Sequence, residues 1–299
     1  MAPIQTVAVA GAAGSLGEAL VKELLAANFS VTALVRPGST STLSPSVKAA
    51  KVDYEDMESL KTALQGHDAL VSTLSTTAIK VQEKLIDAAI AAGIKRYIPS
   101  EFGCDLFNPK ARALPVYAQK LKVEEDVEKK TQGTQTTYTF VFNNAFLDWG
   151  LDHGFLMDLK AKKAEIYDGG NVTFTATPIP FVAKGVVAVL QHPEETANRE
   201  VRLHGAAVTQ KQILDIAQRV GGKEGWQVTE ARSEDLERES YENLKKDPSN
   251  VYGWIVGMLK RAAFADGYGG DFSLNNDNAM LGLNEMSERE IDDIVRSRM

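Results

Sequence analysis

The stretch Thr6-Val-Ala-Val-Ala-Gly-Ala-Ala-Gly-Ser-Leu-Gly17 decides the fold of this chain. It opens with a short apolar run and then carries three glycines, Gly11, Gly14 and Gly17. Apolar residues follow at helical spacing from Leu16 to Ala27. The order predicts a buried strand, a tight turn and a helix.

This glycine turn has the properties of an anion site. Glycine permits a positive φ and lets a ligand approach the backbone closely. The start of the following helix offers unpaired N–H groups and the positive end of the helix dipole. Because the turn lies between a strand and a helix, it predicts binding of a dinucleotide pyrophosphate. The alternative is a purely structural turn, since many loops are rich in glycine.

The next strand predicts which dinucleotide is bound. It covers Ser30–Val35 and ends at Arg36. In NAD sites an acid about 20 residues past the turn holds the ribose, whereas in NADP sites an arginine nearby takes the 2′-phosphate. Arg36 occupies that place, and the run Gly38–Thr42 adds hydroxyl and backbone donors. The sequence therefore favours NADP(H); the alternative is a solvated arginine at a strand end.

Strands and helices alternate through the first half. Further strands are predicted at Val47–Val52, Asp68–Thr73, Arg96–Ser100 and Tyr138–Phe142. This alternation predicts an α/β fold with a Rossmann-type, doubly wound parallel sheet. Ligands bind outside the carboxyl ends of such strands, so Thr73, Leu74 and Ser75 should lie over the nucleotide.

The alternation is lost in the second half. Ala164–Gly170 and Asn171–Thr177 are predicted as strands around a glycine turn, Thr209–Val220 as an amphipathic helix, and Glu285–Met299 as a solvated helical tail. Tyr252–Leu259 fits the wall of a substrate pocket and a core helix equally well. We therefore predict a nucleotide-binding domain over residues 1–150 and a smaller substrate-binding lobe over residues 151–299. A strand near residues 200–203 can return to the main sheet.

Composition restricts the classes of function. The chain has 299 residues and a formal net charge of −7, which argues against nucleic-acid partners. It has no long apolar run and no secretory signal, and Cys104 is its one cysteine, so we expect a cytoplasmic protein without membrane or disulfide. His153, His192 and His204 share no metal-binding spacing with Cys104, so we predict no metal site.

The helix that begins near Val116 offers two possible chemistries. Tyr117 and Lys120 have two residues between them, whereas short-chain dehydrogenases that use a tyrosine–lysine pair have three. Because a helix turns by about 100° per residue, the pair fits poorly, and Tyr117 is better interpreted as a packed aromatic residue. A lysine working alone could serve as acid or base in an apolar pocket, although the pattern by itself favours a surface lysine. The later part, Glu124–Lys130, has the pattern of a solvated face.

Several segments together resemble the isoflavone reductase-like family, within the NmrA-like group of atypical short-chain dehydrogenases. They are the turn Gly11–Gly17, the strand end Leu34–Arg36, the block Ile98–Gly103, the helix start Val116–Lys122 and the strand exit Phe142–Phe146. The segment Phe146–Gly150 is more similar to fungal members than to plant members. Glu124 and Glu125 depart from the family, which usually carries basic residues there.

The resemblance implies an NADPH-dependent reductase with Lys120 beside the nicotinamide as catalytic acid/base. The implied substrate is a small aromatic molecule of phenylpropanoid or polyketide type. Non-catalytic relatives that sense NADP(H) are the alternative, but they generally lack the helix lysine. A nucleotide-sugar epimerase or typical short-chain dehydrogenase is disfavoured by the Tyr117–Lys120 spacing. The sequence does not fix the oligomeric state. Together, turn, strand ends and resemblance predict cofactor contacts from Gly11, Ala13, Gly14, Ser15, Leu16, Gly17, Arg36, Thr73, Leu74, Ser75, Ser100, Glu101, Phe102, Lys120, Asn143, Asn144 and Phe146.

Overall fold

The computed structural model describes residues 3–40 and 43–299. Its strands are β1 Thr6–Ala10, β2 Ser30–Val35, β3 Lys48–Lys51, β4 Ala69–Ser72, β5 Arg96–Ile98, β6 Thr137–Phe142, β7 Ala145–Phe146, β8 Lys163–Tyr167, β9 Phe174–Thr177, β10 Arg199–Arg202, β11 Ala206–Val208 and β12 Gln227–Ala231. Its α-helices are α1 Ser15–Ala26, α2 Met57–Leu64, α3 Gln82–Ala92, α4 Pro109–Arg112, α5 Ala118–Thr131, α6 Leu147–Asp152, α7 Ile179–Gln191, α8 Gln210–Gly221, α9 Ser233–Lys246, α10 Tyr252–Phe264 and α11 Glu288–Arg296. Short 3₁₀ helices cover Thr76–Val81, Pro115–Tyr117 and Asp168–Gly170. Within the described ranges, no helix is long and apolar enough to cross a bilayer.

Seven strands form one parallel sheet in the order β10-β6-β5-β4-β1-β2-β3. Helices α1 and α7 pack together on one face, and α2, α3 and α5 cover the other. The prediction of a Rossmann-type doubly wound sheet is confirmed. Because all seven strands are parallel, the ends of β1, β2, β4, β5 and β6 meet at one edge, where parallel sheets bind ligands.

Local signals in the sequence set several element ends. The Asp56 side chain accepts a hydrogen bond from the Glu58 N–H at 3.0 Å and caps α2. Gly93 ends α3 in the left-handed conformation with a φ of 76°. The Thr209 hydroxyl accepts from the Gln212 N–H while the Gln212 side chain accepts from the Thr209 N–H, which completes a capping box at α8.

Both strands predicted around the glycine turn are present as β8 and β9, whereas the prediction of a solvated tail was wrong. The strands at β8 and β9 do not pair across their glycine turn: β8 pairs with β12, and β9 pairs with β7 and β11. The reason is that Asp168–Gly170 forms a 3₁₀ turn that directs the two strands into different sheets. The charged tail is not simply solvated either, since α11 buries Ile291 and Val295 and contacts α8.

The second half also contributes to the central sheet layer. Strand β10 pairs in parallel with β6, and α7 packs on α1. Between them, the buried guanidinium group of Arg96 donates to the hydroxyls of Thr139 and Thr196 at 2.9 and 2.8 Å, and to the carbonyl oxygen of Pro193 at 2.5 Å. Arg96 therefore joins β5, β6 and the segment that leads to β10.

Candidate active site

The glycine turn after β1 is closed tightly against its neighbours. Gly11 has a φ of +85°, and a Cβ there would lie only 2.7 Å from the Thr73 carbonyl oxygen. A Cβ on Gly17 would collide with the Gly11 carbonyl oxygen and lie 2.8 Å from the Cα of Ala12. Gly11 therefore lets the turn pack against the end of β4, and Gly17 lets α1 pack against the turn.

Gly14 is the residue that leaves the start of α1 open. It is the N-cap residue with extended φ and ψ, and it has no side chain to bond the first N–H groups of the helix. Ala13, Gly14 and Ser15 are exposed, and all three line a cavity beside the turn. An anion in this cavity would face the N-terminus of α1.

The cavity has a volume of about 900 Å³ and lies along the carboxyl ends of four neighbouring strands. It runs from the end of β4 past the glycine turn and the end of β2 to the residues that follow β3. Ten of the predicted contacts belong to this region, and eight of them line the cavity. Leu16, in the first turn of α1, packs toward the core instead, and Gly17 is buried behind the turn. The eight are Gly11, Ala13, Gly14, Ser15, Arg36, Thr73, Leu74 and Ser75.

Arg36 lies exposed at the mouth of the cavity, beside Pro37 and Ser39. Of the predicted donor run Gly38–Thr42, Ser41 and Thr42 lie outside the described residues. The Arg36 position after β2 is the one that an NADP 2′-phosphate requires.

Sequence reasoning missed the residues that follow β3. Asp53 and Tyr54 line the cavity opposite the turn. The Tyr54 hydroxyl donates to the carbonyl oxygen of Leu34 at 3.2 Å, and burial, partly opposed by the charge of Arg36, raises the pKa of Tyr54 to about 12. The sequence signal that could have identified them is their position at the end of β3, a strand of the same parallel sheet.

A second group of predicted residues lies at the ends of β5 and β6, outside the lining of that cavity. The Ser100 hydroxyl donates to the carbonyl oxygen of Leu74 at 2.8 Å and ties the ends of β4 and β5 together. Phe102 takes a φ of 32°, and its N–H donates to the carbonyl oxygen of Val141 at 2.9 Å. These bonds turn the block back toward the start of α5.

Lys120 lies in the first turn of α5 and is held against this block. Its ammonium group donates to the backbone carbonyl of Glu101 and lies 3.6 Å from the Glu101 carboxylate. The Lys120 side chain is 17 % exposed, and the Glu101 side chain is fully buried. Burial raises the pKa of the Glu101 carboxyl, although the neighbouring Lys120 works against this rise. Lys120 is therefore a half-enclosed ammonium group at the ligand-binding edge of the sheet.

Tyr117 does not share this position. It is buried in the larger apolar core beside the Cys104 thiol. Burial raises the pKa of Tyr117 well above its ordinary value and that of Cys104 to about 11. This environment agrees with the interpretation of Tyr117 as a packed aromatic residue.

The asparagines after β6 connect the two halves. Asn143 is buried and its Nδ2 donates to the Asn144 carbonyl oxygen at 3.3 Å. The Nδ2 of Asn144 donates to the carbonyl oxygens of Thr175 and Ala263 at 3.0 and 3.4 Å. Phe146 is half-buried against the apolar cluster of α1 and α7. The Asn144 amide thus fastens the second half, and the structure does not bring it to the cavity.

The predicted solvated face of α5 was partly wrong. Glu124 and Val127 are both buried. The error arose because a run of charged residues hides the helical period: positions 120, 124 and 127 lie on one side of the helix. That side faces the buried Glu101.

The profile of the NmrA-like family matches residues 3–238. The chain belongs to the NmrA-like family. Among curated relatives of this NmrA-like protein, oxidoreductase poxI of Penicillium oxalicum is 32 % identical over 86 % of the chain and 82 % of its own length. Oxidoreductase aprR of Aspergillus flavus is 31 % identical over 97 % of both chains. The predictions of the family and of an oxidoreductase are confirmed, and both relatives are fungal.

The fold of this NmrA-like protein is also that of a solved plant enzyme. The binary complex of leucoanthocyanidin reductase and NADPH from Vitis vinifera superposes with a TM-score of 0.78 over 97 % of this chain and 99 % of that chain. The two sequences are 20 % identical. At this identity the likeness establishes the shared architecture.

Proposed function

We propose that this oxidoreductase is an NADPH-dependent reductase that transfers hydride to a small aromatic molecule, with Lys120 as the acid/base. The observation that carries the proposal is the position of Lys120. Its ammonium group is anchored on the Glu101 carbonyl at the strand-end edge that also carries the glycine-turn cavity. When bound, NADPH would supply the hydride.

The cavity fits a phosphorylated dinucleotide. Gly11–Ser15 would hold the pyrophosphate at the start of α1, and Arg36 would meet the 2′-phosphate at the mouth. Arginine suits this second task because its guanidinium group is always charged and binds phosphate with two hydrogen bonds. The solved relative from Vitis vinifera holds NADPH, which supports the same choice here.

Lys120 would manage the proton on the substrate. Hydride arriving at an electron-poor carbon leaves negative charge on a conjugated oxygen, and the Lys120 ammonium group would protonate that oxygen. The Glu101 carbonyl orients the amine, and the Glu101 carboxyl lies 3.6 Å from it. The aromatic substrate class rests on the family and on the relative that is a leucoanthocyanidin reductase.

Two measurements test this function. NADPH oxidation is followed against a panel of aromatic enones, quinones and ketones, first with the natural chain and then with Lys120→Ala. We expect turnover of at least one panel member, and a loss of roughly 10²- to 10⁴-fold in kcat for the variant. Unchanged turnover in Lys120→Ala would remove the acid/base role. Tight NADPH binding without oxidation by any panel member would instead indicate a non-catalytic NADP(H) sensor.

A further inference from the structure

Two glutamates, Glu101 after β5 and Glu124 on α5, are buried on the core-facing side of α5 near Lys120. Neither carboxylate oxygen of Glu101 has a hydrogen-bond partner among the described residues, and its ion pair is with Lys120. The Glu124 side chain is 3 % exposed. Its Oε2 accepts from the Arg112 Nη1 at 3.3 Å, and its Oε1 has no partner within the described part of the chain. Buried carboxylates with free lone pairs are expensive unless a proton or a cation satisfies them.

The two carboxyls and the lysine form one electrostatic unit. Lys120 and Glu124 lie one turn apart on α5 and therefore share a face. The Glu101 carboxyl, which follows β5, lies 3.6 Å from the Lys120 amine, and its charge helps to raise the pKa of Glu124. The other ionisable groups that face the unit are Tyr97 on β5, Cys104 after β5, Tyr117 before α5, Arg112 on α4, Glu128 on α5 and Tyr138 on β6.

The charge balance of this unit requires a bound proton. Arg112 is partly exposed, so its charge is screened by water, and Lys120 is the enclosed cation. Burial, followed by repulsion from Glu101, raises the pKa of Glu124 to about 8. Burial also raises the pKa of the Glu101 carboxyl, so the two buried carboxyls hold a proton between them near neutral pH.

We propose that Glu101 and Glu124 store one exchangeable proton behind Lys120 and return it to the lysine after each hydride transfer. This rests on the proposed acid/base role of Lys120. When Lys120 protonates the substrate oxygen, its N–H bond breaks, an O–H bond forms and a neutral amine remains. The proton held by the carboxyl pair then passes to the amine from the Glu101 carboxyl, which lies 3.6 Å away, and the amine becomes ammonium again. The pair regains a proton at Glu124 from water on the side of Arg112, so the charges balance.

Infrared spectroscopy tests the stored proton without any substrate. The C=O stretch of a buried protonated carboxyl is followed in the natural chain between about pH 6 and about pH 9. We expect one band that disappears as the pH rises and that is absent in Glu124→Gln. The matched control is Glu125→Gln, the next residue on α5, whose side chain is 70 % exposed; it should keep the band. A natural chain without the band at the lower pH, or a band that survives in Glu124→Gln, would overturn the proposal.

Kinetics test the return of the proton. With NADPH and a panel compound that the natural chain reduces, Glu124→Gln should keep the rate of the first turnover, because the first proton comes from Lys120 itself. Its steady-state rate should fall by about tenfold or more, and a small diffusible acid such as imidazolium should restore it. Equal loss in both rates without such rescue contradicts the relay. Full activity of Lys120→Ala would instead reject the proposed function, while the infrared result would still report on the carboxyl pair.

Discussion

The carbonyl oxygen of Thr73 packs directly over the α-carbon of Gly11, where a Cβ would lie 2.7 Å away. The Thr73 hydroxyl adds a hydrogen bond to the Ala10 carbonyl oxygen at 3.0 Å, so the end of β4 seals the turn that follows β1. This contact fixes the floor of the cavity and leaves no room for any residue larger than glycine.

Gly11→Ala should destabilise the protein by about 2–4 kcal/mol, because it combines a positive φ with a steric overlap against β4. The free energy of unfolding is measured by urea denaturation. Gly38→Ala is the matched control, since Gly38 has a φ of +77° but nothing within 4 Å of its added Cβ. It should lose only about 1 kcal/mol. Equal losses in the two variants would show that the contact with Thr73 contributes nothing.

Arg36→Ala should weaken NADPH binding by roughly 10- to 100-fold, because a charge-assisted contact to the 2′-phosphate is lost. NADH lacks that phosphate, so its affinity should stay the same. Calorimetric titration with both dinucleotides measures the difference. Lys22→Ala removes an exposed positive charge on α1 away from the cavity lining and serves as the control. Equal losses of NADPH and NADH affinity in Arg36→Ala would show that Arg36 does not bind the 2′-phosphate.

Glu124→Gln should change how stability depends on pH. The pKa of Glu124 is raised from 4.5 to about 8 by burial and by repulsion from Glu101, so the folded protein keeps a proton that the unfolded chain releases. Stability is therefore lost as the pH rises from about 4.5 to about 8. Glutamine cannot ionise, and the variant should gain up to about 5 kcal/mol relative to the natural chain over this range. Urea denaturation at several pH values measures this; a difference that does not vary with pH excludes the shift.

Asp68→Asn should have the opposite pH dependence. Burial opposes the Asp68 carboxylate, but hydrogen bonds from Lys95 at 2.6 Å and from the N–H groups of Gln5 and Thr6 outweigh it and hold its pKa well below the ordinary value. The stabilisation is present above about pH 4 and is lost as the pH falls further. The variant should lose about 1–2 kcal/mol at neutral pH and much less in acid.

The control for that experiment is Asp87→Asn. Asp87 pairs with Lys130 at 2.9 Å, but both side chains are substantially exposed, so the loss should stay below about 1 kcal/mol. Equal effects of the two substitutions at neutral pH would mean that the bonds of Asp68 to β1 add no stability.

The sequence predicted those parts of the fold that local pattern determines. The strand Ser30–Val35 has the same bounds in prediction and structure, because a buried β-branched run has one plausible conformation. The helix predicted over Thr209–Val220 likewise agrees with α8 to within one residue at each end, because the signals for its start lie in four consecutive residues. In contrast, β12 is exposed along nearly its whole length and shows no apolar alternation, so only its pairing with β8 makes it a strand.

The candidate site divides in the same way. The glycine turn and Arg36 could be predicted because a short motif sets their geometry and their place at strand ends. Asp53 and Tyr54 were missed because the turn into α2 brings them to the cavity. The burial of Glu101 and Glu124 could not be predicted, since it arises only when the segment after β5 packs against α5, where Lys120 contacts Glu101. The pKa values of both carboxyls are raised by their burial at that contact, which residue type alone does not reveal.

Because β10 and α7 from the second half complete the central sheet layer, we expect that the first half cannot fold as a separate fragment. A fragment ending at residue 150 would turn β6 into an open edge strand and strip the apolar side of α1. It would also leave the Arg96 guanidinium without Thr196 and Pro193. Evolutionary exchange of the second half between relatives must therefore preserve these two inserted elements, however freely the segments between them diverge.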